Sequence, residues 1–252
     1  MEKYNLTEIK SFLDYKADFY ENENFIENDP ISIPHLFSKK EDIEISGFIT
    51  STISWGLRKT IIKNSKKIVE MMDFSPFDFI LNHSKSDLKP LSKFVHRTFN
   101  GIDLLFFIKS LKNIYRNHGG LENLFKPNEI NCNTSYLIHE MKKVFFSISH
   151  NIRTKKHISD PLNGSAAKRI NMFLRWMVRS NKKRVDFELW KSLSPSQLSC
   201  PLDIHSARVA RKLNILKRNQ NDYKATLELD SYLREFNPND PVKYDFALFG
   251  LG

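Results

Sequence analysis

Apolar residues recur along most of the chain at the three- and four-residue spacing of one helix face. The pattern predicts helices over residues 6–20, 42–55, 57–72 and 103–115, one that begins at Ser75-Pro76, and one that ends at Phe146. Two prolines in residues 29–34 predict an extended connector, and residues 126–134 form a polar stretch typical of a loop. No segment keeps the alternation of a β-strand. The pattern therefore predicts an all-α protein.

The helix with the most regular apolar face follows a segment of small residues. That segment reads Asn163-Gly164-Ser165-Ala166-Ala167-Lys168-Arg169-Ile170-Asn171. The apolar face comprises Ile170, Phe173, Leu174, Met177 and Val178. The same spacing predicts Lys168, Arg175 and Arg179 on the opposite side. Gly164 and Ser165 are small enough to let backbone N–H groups approach a phosphate at the start of a helix.

A second motif surrounds Asp203. It reads Cys200-Pro201-Leu202-Asp203-Ile204-His205-Ser206-Ala207-Arg208-Val209-Ala210-Arg211-Lys212-Leu213. Asp203 stands before the helical part, where a carboxylate accepts hydrogen bonds from the first N–H groups and lies at the positive end of the helix dipole. Taken alone, this residue is explained by an ordinary N-cap.

The positive charge of the chain is concentrated in one segment. The 252 residues carry a formal net charge of +10, yet residues 151–218 hold 16 Lys/Arg and 4 Asp/Glu, so the rest of the chain is slightly acidic. Such a field attracts a polyanion, and the binding is expected to weaken with salt. The expected phosphate contacts are Gly164, Ser165, Arg153, Lys155, Lys156, His157, Arg169, Arg175, Arg179, Arg208 and Arg211. A solvated basic face is the alternative.

Several classes of protein do not fit the composition. No apolar run has the length of a membrane span, and the N-terminus lacks the apolar core of a signal peptide, so we expect a soluble protein of the bacterial cytoplasm, associated with the nucleoid. Cys132 and Cys200 are too few for an iron–sulfur cluster or a disulfide framework, and we interpret each as a packing residue. The scattered histidines indicate no metal site. We expect a monomer without a cofactor.

The two motifs together resemble the helix-hairpin-helix DNA glycosylase superfamily. The run from Asp203 to Leu213 is similar to the signature Val-Asp-Thr-His…Arg-Val…Arg-Leu, and residues 163–171 resemble the hairpin Pro-Gly-Val-Gly-x-Lys-Thr-Ala-Asn. On this match Lys168 falls at the lysine of the bifunctional glycosylases and Asp203 at their shared aspartate. The resemblance covers residues 42–250. The whole chain also resembles an uncharacterised bacterial family with the same hairpin and the same C-terminal Pro-Val-Lys-Tyr-Asp-Phe-Ala-Leu-Phe-Gly-Leu-Gly.

This resemblance implies two helical lobes with a cleft between them. Residues 42–170 would form the central lobe, and residues 1–41 plus 171–252 the second. The chain departs from the superfamily pattern in its hairpin, where Ala166 replaces the second glycine, and in the 35 residues between Lys168 and Asp203. That long insert is more like the archaeal type of 8-oxoguanine glycosylase. Ile53 or a neighbour stands where many relatives push a glutamine into the duplex.

The resemblance further implies base excision followed by strand cleavage. Asp203 would stabilise the positive charge that develops on the sugar, and Lys168 would attack C1′ to form a Schiff base. The substrate would be double-stranded DNA with an oxidised purine, 8-oxoguanine first. Because the base must leave the stack, a pocket is needed, and we expect its lining from Trp55, Lys243, Asp245, Phe246 and Phe249.

Two other functions remain open at this point. One is a structure-selective DNA-binding protein that keeps the scaffold without catalysis, which the loss of the hairpin's second glycine favours. The other is an RNA-binding helical protein. The run His96-Arg97-Thr98-Phe99 has no role in any of these hypotheses.

Overall fold

The helices follow the apolar pattern closely. A computed structural model describes residues 5–127 and 133–252 of the chain. The α-helices of these residues are α1 (Leu6–Tyr20), α2 (Asn24–Glu27), α3 (Lys40–Thr52), α4 (Arg58–Glu70), α5 (Pro76–Asn82), α6 (Leu88–Leu91), α7 (Gly101–Asn117), α8 (Thr134–Phe145), α9 (Lys168–Val178), α10 (Ile204–Lys212), α11 (Tyr223–Phe236) and α12 (Tyr244–Gly250). The predicted helices are confirmed, with ends that differ by a few residues.

Short 3-10 helices join many of these elements. Within the described residues they are Pro30–Ser32, Pro34–Leu36, Glu122–Phe125, Ile152–His157, Pro161–Asn163, Asn181–Lys183, Pro195–Gln197 and Pro241–Lys243. The prediction of an extended connector at residues 29–34 was therefore wrong. Asp29 caps the first of these turns through a hydrogen bond from the Ile31 N–H, and the proline that follows has the φ that a helical first turn needs.

The described residues contain one small hairpin that the pattern did not predict. Strands β1 (Val95–His96) and β2 (Phe99–Asn100) pair antiparallel, and Asn100 then caps α7. With two residues per strand, the hairpin is too short for an alternating pattern to be visible in the sequence. Apart from this hairpin and an isolated bridge between Ser165 and Asp222, the regular secondary structure of the described residues is helical, so the all-α prediction is confirmed at that level.

The buried apolar side chains form two clusters. The larger cluster contains most of the buried apolar residues between positions 31 and 198, together with two side chains near the C-terminus. The smaller cluster combines α1 with residues from α10, α11 and α12, so both ends of the chain contribute to it. Residues 171–198, which were expected in the second lobe, instead pack in the larger cluster. The reason is that α9 lies against α3, where Gly47 lets the side chains of Phe173 and Met177 approach.

Helix α9 occupies the centre of the molecule. All residues from Ile170 to Val178 are buried, on both sides of the helix. One side packs on α3, and the other meets α12 through Arg175 and Asp245. The two chain-end helices α1 and α12 pack closely, with the Tyr20 ring against Gly250. The start of α9 is therefore held where the two clusters meet.

Cys200 is buried in the smaller cluster, as expected of a packing residue, and Cys132 lies outside the described residues. None of the helices in the described ranges combines the length and hydropathy that a membrane crossing requires.

Candidate functional site

A cleft of about 460 Å³ opens between the start of α9 and the start of α10. Its walls come from elements far apart in the sequence, because α9 belongs to the larger apolar cluster and α10 to the smaller one. The residues that line it are Phe25, Asp29, Pro30, Ser54, Trp55, Gly56, Arg58, Ile61, Lys168, Arg169, Met172, Arg175, Asp203, Ile204, His205, Asp245 and Phe249.

Lys168 and Asp203 meet in this cleft. Lys168 Nζ lies 3.9 Å from Asp203 Oδ2, and about a quarter of each side chain is exposed. Lys168 is the first residue of α9, and its amine also contacts Met172 Sδ at 3.4 Å. The pair thus joins two helix starts that are 35 residues apart in the sequence.

Asp203 uses its two carboxylate oxygens differently. Oδ1 accepts hydrogen bonds from the N–H groups of His205 (2.8 Å) and Ser206 (3.0 Å), so Asp203 is the N-cap of α10. The Ser206 hydroxyl accepts from the Asp203 N–H and completes a capping box. The cap fixes the carboxylate and leaves Oδ2 facing Lys168. The interpretation of Asp203 as an N-cap is therefore correct. Because the cap uses Oδ1, Oδ2 is still available in the cleft.

Two buried carboxyl groups lie deeper in the cleft. Burial raises the pKa of Asp245 to about 6, although Arg175 Nη1 lies 2.5 Å from its Oδ2. Burial also raises the pKa of Asp29, and the positive charges of Arg175 and Lys168 only partly oppose this. A carboxyl group with a raised pKa can be protonated and donate a hydrogen bond. Sequence reasoning missed Asp29, whose only local signal was an Asp-Pro pair that caps a turn.

Aromatic rings and cations form the side walls. Trp55 is half-buried, and the Arg169 guanidinium lies 4.8 Å from the centre of its ring. Arg58 lies similarly over Phe249, at 5.0 Å. Desolvation lowers the pKa of Arg169 to about 10, which leaves this group charged at neutral pH. Rings with flanking cations are suited to a flat, electron-rich ligand.

Two of the expected pocket residues lie elsewhere. Lys243 Nζ lies 2.5 Å from Asp14 Oδ1, so its amine is bound to α1 and not to the cleft. Phe246 is 1% exposed and packs beneath the guanidinium of Arg175. The side-chain positions correct the expectation for these two residues, because the helix α12 directs Asp245 and Phe249 to the cleft instead.

Arg175 and Arg179 are buried, which contradicts their prediction as exposed phosphate contacts. Each is 3% exposed. The Arg179 guanidinium is surrounded by carboxylates of Glu21, Asp186 and Asp240 at 2.7–3.1 Å. Arg175 and Arg179 do lie on the side of α9 opposite the apolar face, as the spacing predicts. However, neighbouring elements cover this side of the helix as well, so the two arginines have no access to solvent. Both arginines are structural, and Arg175 also forms part of the cleft floor.

Several other predicted phosphate contacts are occupied within the protein. Arg153 Nη1 lies 2.6 Å from Asp103 Oδ2, and the same carboxylate is 3.2 Å from His157 Nε2. Burial lowers the pKa of His157 to about 4, so at neutral pH its ring carries no charge for a phosphate. Arg211 donates to the carbonyls of residues 218 and 219, and Arg208 donates to the carbonyl of residue 252.

Lys155 and Lys156, in contrast, are exposed and form no ion pair with any described residue. They remain available to an external anion.

The hairpin before α9 has few free donors. Gly164 is exposed with φ +89°, which suits glycine. Its N–H donates to the Pro161 carbonyl, however, and the Ser165 N–H donates to that of Asp160. The Ala167 N–H donates to the Ser165 hydroxyl. Most of the N–H groups that were expected to bind a phosphate are therefore used internally, and only a three-residue 3-10 helix precedes the hairpin.

These features define a helical protein with a cleft whose mouth holds a lysine–aspartate pair and whose interior holds buried acids between aromatic walls. The chain belongs to the family described as protein of unknown function (DUF2400), whose pattern matches residues 29–252. That range contains every residue of the cleft except Phe25. No curated protein and no solved structure matches the chain.

Proposed function

We propose that this protein is a DNA glycosylase with lyase activity that removes an oxidised purine, 8-oxoguanine first, from duplex DNA. The observation that carries the proposal is the 3.9 Å approach of Lys168 Nζ to Asp203 Oδ2 at the mouth of the cleft. An amine and a fixed carboxylate at this separation can reach two neighbouring positions of one sugar. The resemblance of both motifs to the glycosylase superfamily supports the same reading.

The chemistry divides between the two residues. As the C1′–N bond breaks, its electron pair leaves with the base, which takes up a proton, and Asp203 stabilises the positive charge on the sugar. Lys168 Nζ forms a bond to C1′ and loses a proton, which gives a Schiff base after the sugar ring opens. Loss of a proton from C2′ then breaks the C3′–O bond and releases the 3′ phosphate. Asp203 is suited to its role because its N-cap hydrogen bonds hold it in place.

The interior of the cleft supports recognition of an extruded base. Trp55 and Phe249 present ring faces, and Asp29 and Asp245 present polar edges. An oxidised purine gains an N–H and a C=O on its imidazole edge, and a carboxyl group can either donate or accept a hydrogen bond according to its protonation. We therefore assign base-edge recognition to Asp29 and Asp245.

Borohydride trapping on duplexes that each carry one lesion tests the proposal. The wild type is expected to form a covalent adduct with a duplex containing an oxidised purine, and Lys168→Gln is expected to form none, because glutamine has no nucleophilic amine. Lys182→Gln removes an exposed lysine outside the cleft and serves as the matched control, with trapping equal to the wild type. Trapping that survives in Lys168→Gln would contradict the assignment.

The hairpin at residues 163–171 favours a second function, which is binding of DNA without catalysis. Its internally bonded N–H groups and its short 3-10 entry suit a protein that keeps the scaffold and binds DNA structures without catalysis. Saturable binding to duplexes with no release of any base would support this function over the first. The third hypothesis, an RNA-binding protein, predicts tighter binding to single-stranded RNA than to damaged duplex.

A further inference from the structure

The structure leaves the positive charge of residues 151–218 only partly free to bind an anion. Of the 16 Lys/Arg in residues 151–218, eight form ion pairs with carboxylates. They are Arg153, Lys168, Arg175, Arg179, Lys183, Arg184, Lys191 and Arg218. Ion pairs, most of them with carboxylates outside the segment, therefore cancel part of the field expected from residues 151–218.

Helix α4, in contrast, has closely spaced cations that no carboxylate of the described residues pairs with. It carries five cations and one carboxylate, and all five cations are exposed without an ion pair to any described residue. These cations are Arg58, Lys59, Lys63, Lys66 and Lys67. Lys59, Lys63 and Lys66 follow the i, i+4, i+7 spacing of one helix face, opposite the buried residues of the same helix. The only carboxylate of α4 is Glu70 at its last position.

This basic face is continuous with the cleft. Arg58, the first residue of α4, lines the cleft wall beside Phe249. Leu57, just before it, is 77% exposed at the lip.

The β1–β2 hairpin extends the same surface. The His96 ring is held by two contacts, from Nδ1 to Asn64 of α4 (2.8 Å) and from Nε2 to the Trp55 carbonyl (3.2 Å). This buried histidine fixes the hairpin against both α4 and the cleft wall. At the tip, the Arg97 guanidinium lies over Gly56, where a Cβ would be only 2.6 Å from Nη1. Arg97 is exposed and unpaired within the described residues. These contacts give His96 and Arg97 a structural role, which is to hold the β1–β2 hairpin against α4 and the cleft wall.

We propose that the face of α4, extended by the hairpin tip at Arg97, binds the phosphate backbone of duplex DNA beside the cleft. The proposal rests on the proposed function only in its choice of duplex DNA as the polyanion. Lys59 and Lys66 are about 10 Å apart along the helix, so the face is long enough to contact more than one phosphate of a strand. The face therefore supplies the backbone contacts that the hairpin at Gly164, with most N–H groups already bonded, does not.

Fluorescence anisotropy with a short, undamaged, labelled DNA duplex tests this surface. The double variant Lys63→Gln/Lys66→Gln is expected to bind about 10- to 50-fold more weakly at 0.1 M salt, and the slope of log K against log salt is expected to fall by about 2. Both substitutions are on the solvent side of α4, so the thermal unfolding temperature should stay that of the wild type.

Lys85→Gln/Lys126→Gln is the matched control, with the same change in charge. Both lysines are exposed, near the far end of α7 from the β1–β2 hairpin, and binding should stay within about two-fold of the wild type. Equal losses in the two double variants, or no loss in either, would overturn the proposal. So would the absence of salt-sensitive duplex binding by the wild type, or tighter binding to single-stranded RNA.

The outcomes also separate this surface from the catalytic proposal. If no lesion gives an adduct while Lys63→Gln/Lys66→Gln alone loses duplex binding, the α4 surface stands and the glycosylase function fails. If the wild type is trapped through Lys168 while both double variants bind normally, the function stands and the α4 surface is wrong.

Discussion

At the scale of single residues, burial decides what each carboxyl group can do. Asp203 is partly exposed and accepts hydrogen bonds from two N–H groups, which hold its carboxylate in place for the role proposed above. Asp29 and Asp245 are buried, and their pKa values are raised. One residue type, aspartate, thus has two different environments in the cleft. Inside the cleft, desolvation penalises the ionised form, so the carboxyl groups of Asp29 and Asp245 can be protonated and donate a hydrogen bond.

The raised pKa of Asp245 predicts a pH dependence of stability. Since the folded pKa of about 6 exceeds the ordinary value of 3.8, the folded state holds more protons between these values, and this contribution to stability is full below pH 4 and lost as the pH rises through 6. Relative to Asp245→Asn, the free energy of unfolding of the wild type should fall by about 2 kcal/mol from pH 4 to 7. Urea unfolding of both proteins measures this; a constant difference would contradict it.

At the scale of elements, the starts of α9 and α10 hold Lys168 and Asp203, the two residues of the proposed chemistry. Each helix start has a structural reason that is independent of function: Ala167 in a left-handed conformation begins α9, and the Asp203 cap begins α10. The packing of α9 on α3 and of α10 on α12 brings the two starts together. Stability and catalysis at Asp203 can therefore be separated by substitution.

Asp203→Asn and Asp203→Ala are expected to differ in stability but not in activity. Asparagine caps a helix about as well as aspartate, so Asp203→Asn should stay within about 0.5 kcal/mol of the wild type, whereas Asp203→Ala should lose about 1 kcal/mol. Both remove the negative charge, so base release should slow by about 100-fold or more in each. Chemical denaturation measures the stability of each variant, and a base-release assay measures its activity. Activity that follows stability would indicate a capping role alone.

At the scale of the whole molecule, a buried charge network joins segments far apart in the chain. Arg179 at the end of α9 binds Glu21 after α1, Asp186, and Asp240 before α12. Neighbouring Arg175 binds Asp186 and the cleft residue Asp245. Although burial disfavours a charge on Arg179, the surrounding carboxylates raise its pKa well above the ordinary value. The network thus connects the two apolar clusters across the cleft.

Removal of Arg179 is expected to be far more costly than removal of a surface arginine. Arg179→Ala leaves buried carboxylates without their counter-charge and should lower the free energy of unfolding by about 3–5 kcal/mol. The control is Arg184→Ala, whose exposed pair with Glu23 should be worth less than about 1 kcal/mol. Similar losses in the two variants, measured by denaturant unfolding, would show that the network is not a stabilising centre.

The sequence by itself determined most of the longer helices, the separation of the helices predicted at residues 42–55 and 57–72, and the cap at Asp203, but it did not indicate α11 or α12. These features depend on contacts within a few residues, so periodicity and capping chemistry reveal them. The two residues expected at the site, Lys168 and Asp203, were identified from their motifs, and their proximity is a property of the fold.

Only the tertiary structure decided which charges face solvent and which residues complete the cleft. Arg175 and Arg179 are buried, Lys243 is bound to Asp14, and Asp29 lies in the cleft, none of which follows from local spacing. The physical reason is that the burial and partners of a charge depend on segments far away in the sequence. A face of five exposed cations without ion pairs to the described residues therefore lies on α4, outside the segment whose sequence is most basic.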